Sequence, residues 1–187
     1  IRKIKKYKRV KLEIRKHRKA ILALYIPQVI IQLYTVCDKT MLGMLGQSSA
    51  ESGYYEQAEK IARLAASVVS TLSAVMMPRI SSLYSLGKME QAYKEIKHSF
   101  QFVWLMGVPI MFGLIGIRKE FIDIFLGSGY EKVTEVLSVF SVIVLMVGLN
   151  NVTGLQYFIP MGKQKKFTIS VCIGALVDIV MNLILIP

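Results

Sequence analysis

Residues 54–78 read YYEQAEKIARLAASVVSTLSAVMMP. Four charges in the first ten of these positions would ordinarily argue against a membrane span. Their spacing argues otherwise. Stepping about 100° per residue from Glu56 places Glu59, Lys60, Arg63, Ser67, Ser70 and Thr71 on one helical face about 120° wide. The opposite face carries Ala58, Ile61, Ala62, Ala65, Val68, Val69, Leu72 and Met76. The segment is therefore expected to be a long helix with a polar stripe. Charges inside a span normally face a bundle interior or a water-filled cavity. The plainer alternative is that Glu56–Lys60 and Glu59–Arg63, both i,i+4 pairs in the favourable order, only neutralise each other at the outer interface. Arg63 lies deeper than the rest, about 13 Å below Tyr54 at ~1.5 Å per residue.

The same logic carries outward along the chain. Charge-free runs cover 20–37, 64–78, 99–117, 136–162 and, interrupted only by Asp178, 167–187. A bilayer core of ~30 Å needs about 20 mostly apolar residues in a helix. Only the third and fourth runs come close to that length unaided. The others reach it if a few charged residues lie inside the membrane. The expected fold is all-α: a polytopic membrane helix bundle with about five transmembrane helices, near 20–45, 54–78, 98–117, 134–159 and 167–187. A short surface helix, Met89–His98, is expected after a break at Gly87. The Leu-Gly-Ser-Gly stretch at 126–129 reads as a turn.

Charge supports this division. Only 19% of the chain is charged, below the ~25% of soluble domains. Residues 1–19 alone hold eleven Lys/Arg and one acid, Glu13, or +10 of the total +12. This basic arm, or interfacial helix, is distinct from the transmembrane lobe at 20–187. A polybasic stretch running into an apolar helix fits anionic membrane lipid better than nucleic acid. Lys/Arg fall mainly in alternate connections, which puts the arm, 79–98 and 163–166 on the cytoplasmic side. The chain starts with Ile1 and ends on an apolar run closed by Pro187, so it is expected to be part of something larger. Cys37 and Cys172 both sit in apolar runs and read as unpaired buried thiols.

Other spans carry polar residues too. In the first, Gln28, Gln32, Thr35 and Lys39 share a face, with Asp38 beside it. Asp38 and Lys39 point about 100° apart, so each needs a partner on another helix; Glu56, Glu59 and Lys60 are candidates. The fourth carries Asn150, Asn151, Thr153, Gln156 and Tyr157. The fifth holds Asp178 and Asn182 one turn apart near mid-membrane, where a carboxylate costs about 2.5–3.5 kcal/mol. Asp178 is a functional candidate or, alternatively, a packing partner of Asn182. No catalytic constellation, metal-ligand spacing or cofactor motif is visible, so an enzyme is not expected.

Three stretches together, 33–43 (LYTVCDKTMLG), 53–61 (GYYEQAEKI) and 77–81 (MPRIS), resemble polysaccharide repeat-unit flippases of the Wzx type, which serve O-antigen and capsule synthesis. These belong to the multidrug/oligosaccharidyl-lipid/polysaccharide exporter superfamily. Residues 148–162 and 178–187 are similar to the same family. The resemblance implies one lobe of a two-lobe transporter of the bacterial cytoplasmic (inner) membrane, with an N-terminal lobe and the last helix or helices absent. It implies transport of undecaprenyl-diphosphate-linked oligosaccharide by alternating access. Lys39, Lys60 and Arg63 would then meet the anionic head group, and Gln28, Gln32, Asn150 and Gln156 the sugars. Asp38, Glu56, Glu59 and Asp178 would form a charge network or coupling site. A cation-coupled multidrug exporter of the same superfamily is the alternative, with Asp38 or Asp178 as the cation site.

Overall fold

The computed structural model describes residues 14–45 and 49–185. These form α1 (Ile14–Leu45), α2 (Ser49–Ser85), α3 (Met89–Phe125), α4 (Glu131–Asn151) continued by a π-helical stretch (Val152–Phe158), and α5 (Gln164–Leu185). There is no strand among the described residues. Four helices, α2, α3, α4 with its π-helical continuation, and α5, are long and apolar enough to cross a membrane. α1 carries the charge-free run 20–37. The expected all-α, multi-span bundle is thus the fold. Residues 1–13 of the basic arm and 46–48 between α1 and α2 lie outside the described residues; Ile14–Lys19 are the opening turns of α1.

Two boundaries differ from expectation. α2 does not stop at Pro78 but runs seven residues past it, and the expected surface helix Met89–His98 is the first part of α3. A proline removes one helical hydrogen bond, a loss that membrane helices tolerate when neighbours compensate. The connection then shrinks to Leu86–Lys88. Gly87 adopts φ +73°, which a side chain would resist. Lys88 N–H donates to the Leu83 carbonyl at 2.9 Å and Gly87 N–H to the Tyr84 carbonyl at 3.0 Å. This pair of bonds is the Schellman ending of a helix. Arg79 bonds Glu95 at 2.6 Å across the same turn and fastens α2 to α3.

The helices form two groups. α4 packs against both α2 and α3, while α1 packs against α5 and touches α2 only lightly. The apolar face of α2 is correspondingly divided: Ala58, Ala62 and Val69 are fully buried against the group, but Val68 is exposed to what would be lipid. One core cluster gathers Ala58, Ala62, Ile122, Val133 and Leu137 toward the N-terminal end of α2. A second gathers Val69, Ile80, Ile96, Val103 and Val144 toward the other end. Tyr54 meets Tyr130 edge-on at one end of the group. Tyr84, Tyr93 and Tyr157 cluster at the other, where Lys163 lies over the Tyr157 ring. Aromatic residues at both ends are the distribution expected where a bundle meets two membrane surfaces.

Gly148 is where α2, α3 and α4 cross. A Cβ there would sit 2.7 Å from Val69 Cγ1 and 2.8 Å from Val103 Cγ1. Gly148→Val is expected to destabilise the bundle by about 1–3 kcal/mol through overpacking. Thermal unfolding in detergent measures it; an unchanged midpoint would mean that the crossing is looser than these distances.

Candidate functional site

Between the α1–α5 pair and the α2–α4 faces lies a cavity of about 510 Å³. Its polar wall is made by Gln28, Thr35 and Asp38 of α1, Glu59 and Arg63 of α2, Asn150 and Asn151 of α4 and Asp178 of α5. Helical geometry explains the convergence. Glu59 and Arg63 are one turn apart on α2, and the light contact between α1 and α2 leaves room between them.

Glu59 is the hub. Its side chain is only 6% exposed, and it accepts bonds from Lys39 Nζ at 3.0 Å and Arg63 Nε at 2.7 Å. One carboxylate therefore ties α1 to α2 and orients two cations. Burial of a charge is tolerable only when it is paired in this way. Arg63 spends Nε on Glu59, and its side chain is 56% exposed. No other bond to its guanidinium is present among the described residues. Its terminal nitrogens are free to meet an anion.

The second junction joins α1 to α5. Asn182 Nδ2 donates to Asp38 Oδ1 at 2.8 Å. The Asp178 carboxyl lies within hydrogen-bonding reach of Asp38, and Asp178 Oδ2 is buried without a partner. Asp38 and Lys39, adjacent in sequence, thus do find partners on different helices. Lys39 goes to Glu59 as anticipated, whereas Asp38 goes to α5. Asn182 serves Asp38 across the interface rather than packing against Asp178.

Several anticipated cavity residues lie elsewhere. Gln156 is fully buried, and its amide donates to Ser73 Oγ at 3.0 Å. It is an α4–α2 bond inside the core and is not presented to a ligand. Asn151 does line the cavity, while its amide donates to Ser70 Oγ at 2.9 Å. Lys60 pairs with Glu56 at 3.0 Å on their own helix, with both side chains substantially exposed, and neither lines the cavity. For this pair the plainer alternative describes the geometry. Gln32 is exposed and outside the cavity as well.

The discrepancy on α1 is one of rotation. The polar stripe runs along Gln28, Gln32, Thr35 and Lys39, but the cavity wall follows Gln28, Ile31, Tyr34, Thr35 and Asp38, so its centre lies roughly 60° around the helix and only Gln28 and Thr35 of the stripe face the cavity. Packing against α5 sets that rotation. Tyr34, Tyr55 and Phe167 also line the cavity and were not anticipated. Tyr34 alone had a signal, one turn before Asp38 on the same face.

The chamber holds three carboxyl groups, Asp38, Glu59 and Asp178, against Arg63 in its wall and Lys39 at its edge. An anion entering it would meet the free terminal nitrogens of Arg63 first, and Lys39 once Glu59 yields it. No group of three or more metal-ligating side chains is present among the described residues.

No curated protein and no solved structure matches the chain. The sequence model of a family described as polysaccharide biosynthesis protein matches residues 13–135. That is 123 of 187 residues, and it includes Asp38, Lys39, Glu59 and Arg63. With its apolar helices and its charged interior cavity, the chain is a multi-pass membrane protein that belongs to the polysaccharide biosynthesis protein family.

Proposed function

We propose that the protein moves lipid-linked oligosaccharide repeat units, carried on undecaprenyl diphosphate, across the bacterial cytoplasmic membrane by alternating access. The observation that carries this is the Lys39–Glu59–Arg63 triad facing a cavity inside a membrane bundle of this family. A substrate with a diphosphate and sugars needs cations and amide groups in a water-accessible chamber. Arg63 and Lys39 supply the former, Gln28 and Asn150 the latter. In this reading Glu59 is an exchangeable counter-ion. It holds both cations in position, and phosphoryl oxygens replace it when substrate binds. Charge-assisted bonds of Arg to phosphate are among the strongest polar contacts available. No bond is made or broken, so the protein is a transporter and not an enzyme. The basic arm would sit on anionic lipid of the inner leaflet. A second, N-terminal lobe of the same protein would close the cavity.

The test is transbilayer movement in proteoliposomes. Lipid-linked oligosaccharide loaded in the inner leaflet should become accessible to an external lectin within minutes when the protein is present. Accessibility no faster than in protein-free vesicles would overturn the proposal.

The runner-up is a cation-coupled exporter, favoured by the Asp38–Asp178–Asn182 cluster. Two neighbouring carboxyls, one bonded to the Asn182 amide and the other with an unsatisfied oxygen, are suited to a proton or a small monovalent cation. Resistance to cationic dyes in expressing cells, without any effect on surface polysaccharide, would favour it over the first reading.

A further inference from the structure

Beside the charged chamber lies a second space, a half-open slot of about 400 Å³ between α1, the end of α4 and α5. The two share a wall: Ile31, Tyr34, Asn150, Phe167 and Asp178 line both. Their chemistry differs. None of Asp38, Glu59 and Arg63 lines the slot. Its other surfaces are Phe158, Val171, Gly174 and Ala175, with the hydroxyls of Thr153 and Ser170, and it is mostly apolar. On α5 it runs from Asp178 to Phe167, about 16 Å at ~1.5 Å per residue. The adjoining α5 surface, Ile169, Ile173 and Leu176, is exposed and apolar, so the open side of the slot is flanked by apolar surface.

We propose that this slot holds the first isoprene units of the polyprenyl chain while the diphosphate occupies the neighbouring chamber. The inference rests on the transport reading above and adds a site for the lipid part. An amphiphile of this kind must place its charged and apolar ends in adjoining sites of opposite character. The shared wall at Tyr34 and Asn150 is the junction between the two spaces, with the phosphoryl oxygens toward Arg63 and away from the Asp178 carboxyl. Phe167 is fixed there by Gly154, whose missing Cβ would lie 2.6 Å from the Phe167 ring. The ring thereby forms part of both compartments. Gly174 leaves the slot open: a Cβ built there meets no atom within 4 Å. A Cβ at that position displaces no existing packing, and a larger side chain there extends into the slot that Gly174 lines.

The experiment measures binding to the full-length protein in nanodiscs, with farnesyl diphosphate and inorganic diphosphate as probes. The native protein should bind farnesyl diphosphate at least tenfold more tightly than inorganic diphosphate, since each buried CH₂ contributes favourably. Gly174→Leu should remove that advantage, weakening farnesyl diphosphate about tenfold or more and inorganic diphosphate less than twofold. Arg63→Ala should weaken both. If Gly174→Leu changes neither probe while Arg63→Ala weakens both, the chamber assignment stands and the slot proposal is overturned. Equal weakening of both probes by Gly174→Leu also overturns it, because the substitution then acts through the fold. Loss of the farnesyl advantage in excess phosphatidylglycerol assigns the slot to ordinary bilayer lipid and overturns it too. If neither probe binds the native protein, the diphosphate reading itself fails, and the slot proposal falls with it.

Discussion

Replacing Arg63 with alanine is expected to abolish surface polysaccharide in cells that depend on this protein, while the protein still inserts and folds. The side chain is 56% exposed and makes one bond within the described structure, to Glu59. Glu59 keeps Lys39 at 3.0 Å when Arg63 is gone, so little stability is at stake. Binding is another matter. Two charge-assisted bonds to a phosphoryl group, at about 1.5–3 kcal/mol each, correspond to a loss of at least about a hundredfold in affinity. Arg63→Lys should recover part of the function, because it keeps the charge and loses the planar fork. Polysaccharide output and membrane-protein level, measured together, decide the matter. Normal polysaccharide from Arg63→Ala at normal expression would remove Arg63 from the site.

Glu59→Ala is expected to damage both stability and transport. It leaves two cations without their shared partner at the only ion-paired junction of α1 with α2 among the described residues. Breaking a buried pair costs about 3–5 kcal/mol. The low end applies, because the Lys39 and Arg63 side chains are 40% and 56% exposed and water screens them partly. About 3 kcal/mol corresponds to a fall on the order of 6–12 °C in the unfolding midpoint for a chain of this size. A triple variant, Glu59→Leu with Lys39→Met and Arg63→Met, should regain most of that stability but no transport, since apolar residues often replace a buried ionic cluster without penalty. A midpoint for Glu59→Ala within one degree of the native protein would show that this carboxylate does not hold α1 to α2.

These expectations depend on positions that differ in how far sequence reveals them. The existence of the helices was legible because apolar length is a one-dimensional property. Glu59 with Arg63 was legible as an i,i+4 pair, since both partners lie on one helix. The need of Asp38 and Lys39 for partners on other helices followed from their angular separation alone. The identity of those partners did not. Asn182 lies 144 residues from Asp38, and no periodicity links them. Gln156 looked like a cavity residue because an amide in a span must bond to something. Whether that is a sugar or Ser73 depends on which side of α4 meets α2. The continuous α2 and α3 around Gly87 were missed for a different reason: Pro78 carries a local breaking signal that tertiary support from neighbouring helices overrides.

By itself, then, the sequence determined the class of fold and the presence of charges that need a polar interior. Each of these rests on hydrophobic length or helical phase within a single element. The tertiary structure alone decided which charges meet. The packing of α1 on α5 rotates the first helix by roughly 60° from the face its polar stripe suggests. That rotation brings Asp38 to Asn182 and Asp178, and Lys39 to Glu59. It also opens the slot beside the chamber. Interhelical rotation is set by how side chains interlock across two surfaces, and neither surface carries that information alone.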